Sequence, residues 1–122
     1  MSHTVRIVTE VRDAAAVAAA ASRLELAPPE TGTFALYASQ ATGLAVRLPG
    51  WRYPVVCQLE THELAYDNFG GAWGAPAELD RFLQAYAIEK TRLEARRSGY
   101  AVTETPLEGG SVRLTIHLGA SA

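Results

Sequence analysis

Val5, Ile7, Thr9 and Val11 fall on one side of a period-two pattern, with Thr4, Arg6, Glu10 and Arg12 on the other, as a half-buried strand requires. Asp13 follows, a residue whose carboxylate accepts hydrogen bonds from the free amides of a first helical turn. From Ala14 to Leu24 the chain is rich in alanine, the strongest helix former, and Val17, Ala20, Ala21 and Leu24 share a helical face. The pattern predicts a slim helix that packs close to whatever it covers and cannot continue past Pro28-Pro29.

The middle third predicts two hairpins. Phe34 to Tyr37 and Leu44 to Leu48 flank a turn region from Ser39 to Gly43, while Val55 to Leu59 and Leu64 to Tyr66 flank Glu60 to Glu63. Pro49-Gly50 and Pro54 punctuate the link between them, and Asn68 to Gly74 is a glycine-loaded loop. Pro76, whose missing amide hydrogen has no helical partner in a first turn, opens a second helix with Glu78 and Asp80 near its positive end. Leu79, Phe82, Leu83, Tyr86 and Leu93 form one apolar stripe, and Arg92, Arg96 and Arg97 load the last turns. Gly99 supplies a left-handed stop, with Tyr100 packing back across it in a Schellman-type closure. Tyr100 to Glu104 and Val112 to Leu118 then alternate about Gly109-Gly110, predicting a terminal antiparallel hairpin.

These elements predict an α+β two-layer sandwich, a mainly antiparallel sheet with two helices on one face and the other face wet. Their order can be read as two βαββ units. The one sequence echo of such a duplication is Val46-Arg47-Leu48 against Val112-Arg113-Leu114.

A chain of 122 residues predicts one domain spanning 1–122. With 48% hydrophobic and 20% charged residues it is no disordered, collagen-like or disulfide-scaffold protein. Eleven Lys and Arg against thirteen Asp and Glu, a net charge of −2, give no bulk field that favours nucleic acid or an anionic membrane. The single cysteine, Cys57, excludes an intrachain disulfide and a Cys-rich zinc site. The first residues lack the continuous apolar core of a signal peptide. The alanine run from Ala14 to Ala21 is far shorter than the ~20 residues that span a bilayer. The expected location is cytoplasmic.

Five short segments carry a resemblance. Met1-Ser2-His3 at the start, Trp73-Gly74 leading into a helix, Tyr86-Ala87 in its middle, Glu94 to Tyr100 at its end and the closing Gly110 to Leu114 together resemble the DUF1257 family of Ycf35-like proteins over nearly the whole chain. The resemblance implies a small protein with no settled biochemical activity and an accessory role beside an AAA-type ATPase partner. The alanine-filled first helix and Trp51-Arg52-Tyr53 depart from the family pattern.

Few residues offer chemistry. His3, His62 and His117 are far apart in sequence, and they would converge on a metal only if the first and last strands were neighbours; surface histidines are the expectation, and no metal or cofactor is implied. Cys57 lies in an apolar strand and reads as a small buried hydrophobe rather than a nucleophile. Gly70 to Gly74 could present amides to an anion, but it lacks the Lys and Ser or Thr of a phosphate loop, so Trp73 reads as a packing anchor. Glu60, Glu63 and Asp67 read as an exposed acidic turn, not an acid–base pair. Lys90 interrupts the apolar stripe, so its ammonium must snorkel outward or find a carboxylate or a ligand. Arg92, Arg96 and Arg97 read first as a solvated helix end.

Trp51, Arg52 and Tyr53 place large amphipathic side chains in a loop, the composition of interface anchors. The sequence therefore predicts a non-catalytic accessory or interaction module binding a protein partner through Trp51, Arg52, Tyr53 and Trp73. One alternative is a small-molecule binder or enzyme with a pocket between sheet and second helix near Tyr66, Tyr86 and Lys90. Another is a structural subunit that self-associates through sheet edges.

Overall fold

The Asp13 carboxylate accepts from the amides of Ala15 and Ala16 at 2.9 and 3.3 Å, satisfying two donors that helix geometry leaves orphaned. Helix α1 accordingly starts at Ala14 and runs to Arg23. The computed structural model describes residues 4–118. Around α1 lie strands β1 (Val5–Val8), β2 (Glu30–Ala35), β3 (Gln40–Val46), β4 (Val55–Gln58) and β5 (Glu63–Tyr66). Helix α2 (Pro76–Arg97) and strands β6 (Ala101–Pro106) and β7 (Val112–His117) complete the α+β fold.

The first five strands form one antiparallel sheet in the order β1-β5-β4-β3-β2. Both helices cover the same face of it, where Val17 and Ala20 of α1 and Leu79, Phe82 and Ala85 of α2 pack with Val46, Val55, Cys57 and Leu64. The alanines of α1 keep the two helices close, and Phe82, fully buried, supplies the bulk between them. Helix α2 starts with Pro76 in its first turn and closes as expected: Tyr100 N–H donates to the Ala95 carbonyl at 2.8 Å past Gly99, whose φ is +80°. The Tyr100 side chain itself stays exposed.

β1 is shorter than its alternation predicts. Its partner β5 begins at Glu63, so the ladder runs out at Val8. Val11 keeps the alternation for another reason, because it turns into the helix-covered core.

The β2–β3 hairpin departs most from expectation. Its strands pair Glu30–Ala35 with Gln40–Val46, and the reversal falls at residues 36–39, closed by Leu36 N–H to the Ser39 carbonyl at 2.8 Å. Gly43, expected in the turn, is a strand residue opposite Gly32. An ideal Cβ on Gly43 would stand 2.6 Å from the Cys57 carbonyl oxygen. Beyond this close approach β3 leaves β4, whose pairing with it ends at Leu44 and Cys57. Gln58 Nε2 then donates to the Thr42 carbonyl at 3.3 Å, standing in for a lost ladder bond.

Past that bend the hairpin folds over the second face of the sheet. Leu36 and Phe34 pack there with Ala41, Ala45, Val56 and Ala65, and the Ser39 hydroxyl hydrogen-bonds Thr4 at the start of β1. The second face, expected to be wet, thus carries a small core of its own.

The terminal hairpin β6–β7 forms a separate two-stranded sheet, which corrects the reading of two equivalent βαββ units. The first hairpin joins the sheet that holds β1, whereas the second does not join the one that holds β5. Helix length is the physical difference: the 22 residues of α2 against 10 in α1 carry the chain about 33 Å instead of about 15 Å. The hairpin is held to the helices by Glu104, which pairs with Arg23 and with Arg92 at 2.8 Å, and by Gln84 Nε2 donating to the Gly110 carbonyl at 2.9 Å.

Gly43→Ala is expected to lower stability by about 1–3 kcal/mol, because its new methyl meets backbone that cannot move aside. Gly32→Ala, whose Cβ would meet only the Phe34 ring at 3.4 Å, should stay within about 0.5 kcal/mol of the parent. Urea titration of both variants checks this, and equal losses would contradict it.

Candidate functional site

Two loops meet where the β3–β4 link and the segment before α2 run together. Trp51 fastens them. Its indole N–H donates to the Ala75 carbonyl at 3.0 Å, and its ring lies so flat on Gly74 that an ideal Cβ there would stand 2.6 Å from Trp51 Cγ. Tyr66 meets Trp51 edge-on at 5.5 Å, and burial followed by the nearby Asp80 charge pushes the Tyr66 phenol above its ordinary pKa. The next amide, of Arg52, donates to the Trp73 carbonyl at 2.8 Å.

This fastening sets out an aromatic cluster. Trp73 has Phe69 at 4.7 Å, Tyr37 at 5.2 Å and Tyr53 at 5.9 Å between ring centroids. The Arg52 guanidinium lies over both the Trp73 ring at 4.8 Å and the Tyr53 ring at 5.7 Å, a cation–π arrangement. Tyr37 and Phe69 are 57% and 39% exposed. Of the sequence-predicted partner residues, Arg52, Tyr53 and Trp73 are drawn together here, and Trp51 sits half-buried behind them against the core. Tyr37 and Phe69 were absent from the sequence expectation. No local pattern marks them, since Tyr37 arrives only because the β2–β3 tip folds over the sheet.

The loop beneath is ordered by its own polar groups. Asp67 Oδ1 accepts from Phe69 N–H at 3.1 Å. The Asn68 carbonyl takes the amides of Gly71 and Trp73 at 3.0 and 2.9 Å, and its side chain donates to the Gly74 carbonyl at 3.2 Å. Those two amides are therefore already bonded and not directed at an anion. Asp67 is 1% exposed, and its Oδ2 has no hydrogen-bond partner among the described residues.

The three ligand candidates do not converge. Tyr66 packs on Trp51, whereas Tyr86 and Lys90 border a hollow of about 450 Å³ between α2 and the β1–α1 linker. Both polar groups there are occupied. The Tyr86 hydroxyl accepts from the amides of Arg12 and Asp13, each at 3.1 Å, and donates to the Glu10 carbonyl at 3.3 Å. Lys90 bridges Asp13 at 3.0 Å and Glu94 at 2.9 Å, so it is partnered by carboxylates rather than merely snorkelling. Hydrogen bonds to Glu94, then to Asp13, raise the Lys90 pKa and keep it protonated. A larger hollow of about 670 Å³, with Thr42, Leu44, Gln58 and Leu59 in its wall, opens where β3 leaves β4.

Other candidates fall out separately. Arg92 is taken up by Glu104, and Arg97 reaches Asp13 at 3.4 Å. Glu63 and Asp67 flank opposite ends of β5, with Asp67 buried rather than in an exposed acidic turn. β1 pairs with β5 and β7 with β6, so the first and last strands are not neighbours. His3 lies outside the described residues, His62 sits in the β4–β5 turn, and His117 pairs with the Thr103 hydroxyl at 2.8 Å. No three metal-ligating side chains converge among the described residues, and no helix among them is long and apolar enough to cross a membrane. No family model, curated protein or solved structure matches the chain.

Two solution properties follow. Burial raises the Asp13 pKa, but hydrogen bonds from Lys90, Ala16 and Ala15 and the Lys90 charge outweigh it and hold the carboxyl below its ordinary value. Glu104 is lowered chiefly by its hydrogen bond from Arg23. A carboxyl depressed on folding stabilises the native state above its unfolded pKa, and that contribution disappears as pH falls through the folded value. Stability should therefore drop below about pH 4. Asp13→Asn, which keeps a capping oxygen but no charge for Lys90, should flatten the acid limb of a stability–pH curve, and an unchanged limb would contradict the assignment. The second property concerns Cys57, whose thiol burial pushes up to about 12. Thiol-reactive probes near neutral pH should label it only as fast as the chain unfolds, and rapid labelling of the native protein would show an open path to the sulfur.

Proposed function

We propose that this protein is a non-catalytic interaction module whose contact surface is the cluster of Arg52, Tyr53 and Trp73 extended by Tyr37 and Phe69. The observation that carries this reading is a cationic side chain stacked on Trp73 at 4.8 Å beside two exposed aromatic rings, Phe69 on the same interlocked loops and Tyr37 on the β2–β3 tip. Tyr, Trp and Arg are the residue types that dominate binding energy at protein interfaces. A surface already held in place binds at a lower cost in side-chain and loop ordering. The resemblance to Ycf35-like proteins supports an AAA-type ATPase as the partner class.

The engaged state of Tyr86 and Lys90 weighs against a reacting centre in their hollow. Their polar atoms tie the β1–α1 linker to α2.

The test uses exposed members of the cluster, because Trp51 also ties the loops together. Titration calorimetry of the full chain against an AAA-type ATPase from the same genome should give saturable binding. Tyr37→Ala and Arg52→Ala should each weaken it about tenfold or more while leaving the melting temperature unchanged. Undiminished affinity in both variants would remove the cluster from the interface, and absence of binding by the parent chain would remove the ATPase as partner.

A further inference from the structure

We infer that Arg52 is the recognition group of the aromatic cluster and takes a side-chain carboxylate from an acidic segment of the protein partner. This inference rests on the contact surface proposed above and names the chemistry which that surface selects. Arg52 is exposed, and its guanidinium lies over the rings of both Trp73 and Tyr53. Its own amide is fixed by the hydrogen bond to the Trp73 carbonyl. Aromatic rings engage a guanidinium through its charge and its flat face, which leaves the N–H donors along its edge for another partner. Nothing in the chain takes them. Among the described residues no carboxylate pairs with Arg52, and no acceptor receives its side-chain donors.

Most other cations are engaged within the fold. Arg12, Arg23, Arg81, Lys90, Arg92 and Arg97 pair with carboxylates, and Arg6 donates to Gln58. The surroundings of Arg52 hold no such counter-charge. The three segments that supply the cluster, 36–39, 49–54 and 67–74, contain a single acidic residue, Asp67, and it is buried with one oxygen accepting from Phe69 N–H. The cluster therefore presents one uncompensated positive charge framed by aromatic rings. A glutamate or aspartate side chain supplies two oxygens that match the guanidinium edge, while Tyr37 and Phe69 cover apolar neighbours of that carboxylate. A lone cation also sets the class of ligand. Phosphorylated segments are met by clusters of arginines and nucleic acid by an extended basic field, whereas here one arginine stands in a chain of net charge −2. Because the rings already restrain the side chain, little rotamer freedom remains to be lost on binding.

A phage-displayed library of random peptides, panned on the immobilised full chain, should enrich Asp or Glu beside an apolar or aromatic residue. Replacing that acid by its amide in an enriched peptide should weaken binding about tenfold or more. Arg52→Lys keeps the charge but lacks the planar fork, and should weaken binding by a similar factor with the melting temperature unchanged. Arg113→Gln, which removes a charge from the separate terminal sheet, should leave affinity as it is. No enrichment, or equal affinity of the parent chain and Arg52→Lys, would overturn the inference. Enriched peptides that lack an acidic residue yet are lost on Tyr37→Ala would overturn it and leave the contact surface standing. Peptides indifferent to both Tyr37→Ala and Arg52→Ala would remove the surface as well.

Discussion

The close passage of Gly43 over the Cys57 carbonyl oxygen, where a Cβ would stand at 2.6 Å, governs the architecture on which the candidate surface rests. With a side chain at Gly43, β3 would have to stand off from β4, and the hairpin could not turn at that point. Without one, the strand crosses its neighbour and bends, and the β2–β3 tip is laid across the far face of the sheet. Three consequences share that cause. Val56 and Ala65 lose contact with water, Ser39 reaches Thr4 at the opposite end of the strand order, and Tyr37 arrives beside Trp73. Gln58, bonded to the Thr42 carbonyl, meets part of the hydrogen-bond deficit that the departure creates.

What was legible in the sequence is what depends on nearest neighbours. The helix limits at Asp13, Pro76 and Gly99 are capping chemistry, complete within a few residues. The antiparallel hairpins and the helix-covered face follow from periodicity. The misreadings come from residues whose role is set at long range. Gly43 looks like a turn glycine because turns are where glycine is usually needed, and nothing local announces a backbone passing above it. Val11 prolongs the β1 alternation because a core position happens to fall on the same phase. Trp51, Arg52, Tyr53 and Trp73 could be singled out from residue type and loop placement. Their division into a buried fastener and an exposed cluster could not, since that depends on Gly74 giving Trp51 a flat bed.

Asp13 shows why an apolar stripe interrupted by a cation is an ambiguous sign of a ligand site. Its carboxylate caps α1, accepts from Lys90 and lies within reach of Arg97, while the Tyr86 hydroxyl holds the amides of Arg12 and Asp13. The irregular linker between β1 and α1 has backbone groups that no sheet or helix satisfies, and side chains from α2 supply the partners. A pocket reading of Tyr86 and Lys90 needs their polar atoms to point at empty space. They point instead at the chain.

The loop from Asp67 to Gly74 departs from that economy. Phe69 holds a left-handed φ of +48°, a conformation that costs an L-residue about 1–2 kcal/mol. Asp67 is buried with one carboxylate oxygen lacking a hydrogen-bond partner among the described residues. Fold stability alone would favour glycine at the first position and an apolar or fully bonded residue at the second. Local rules broken without compensation nearby concentrate where a protein is built for something other than its own stability. Glu25 and His62 hold the same backbone conformation elsewhere in the chain, so what sets this segment apart is the buried Asp67 oxygen beneath Phe69 and Trp73, a cost that supports the aromatic cluster as the contact surface on grounds independent of its exposure.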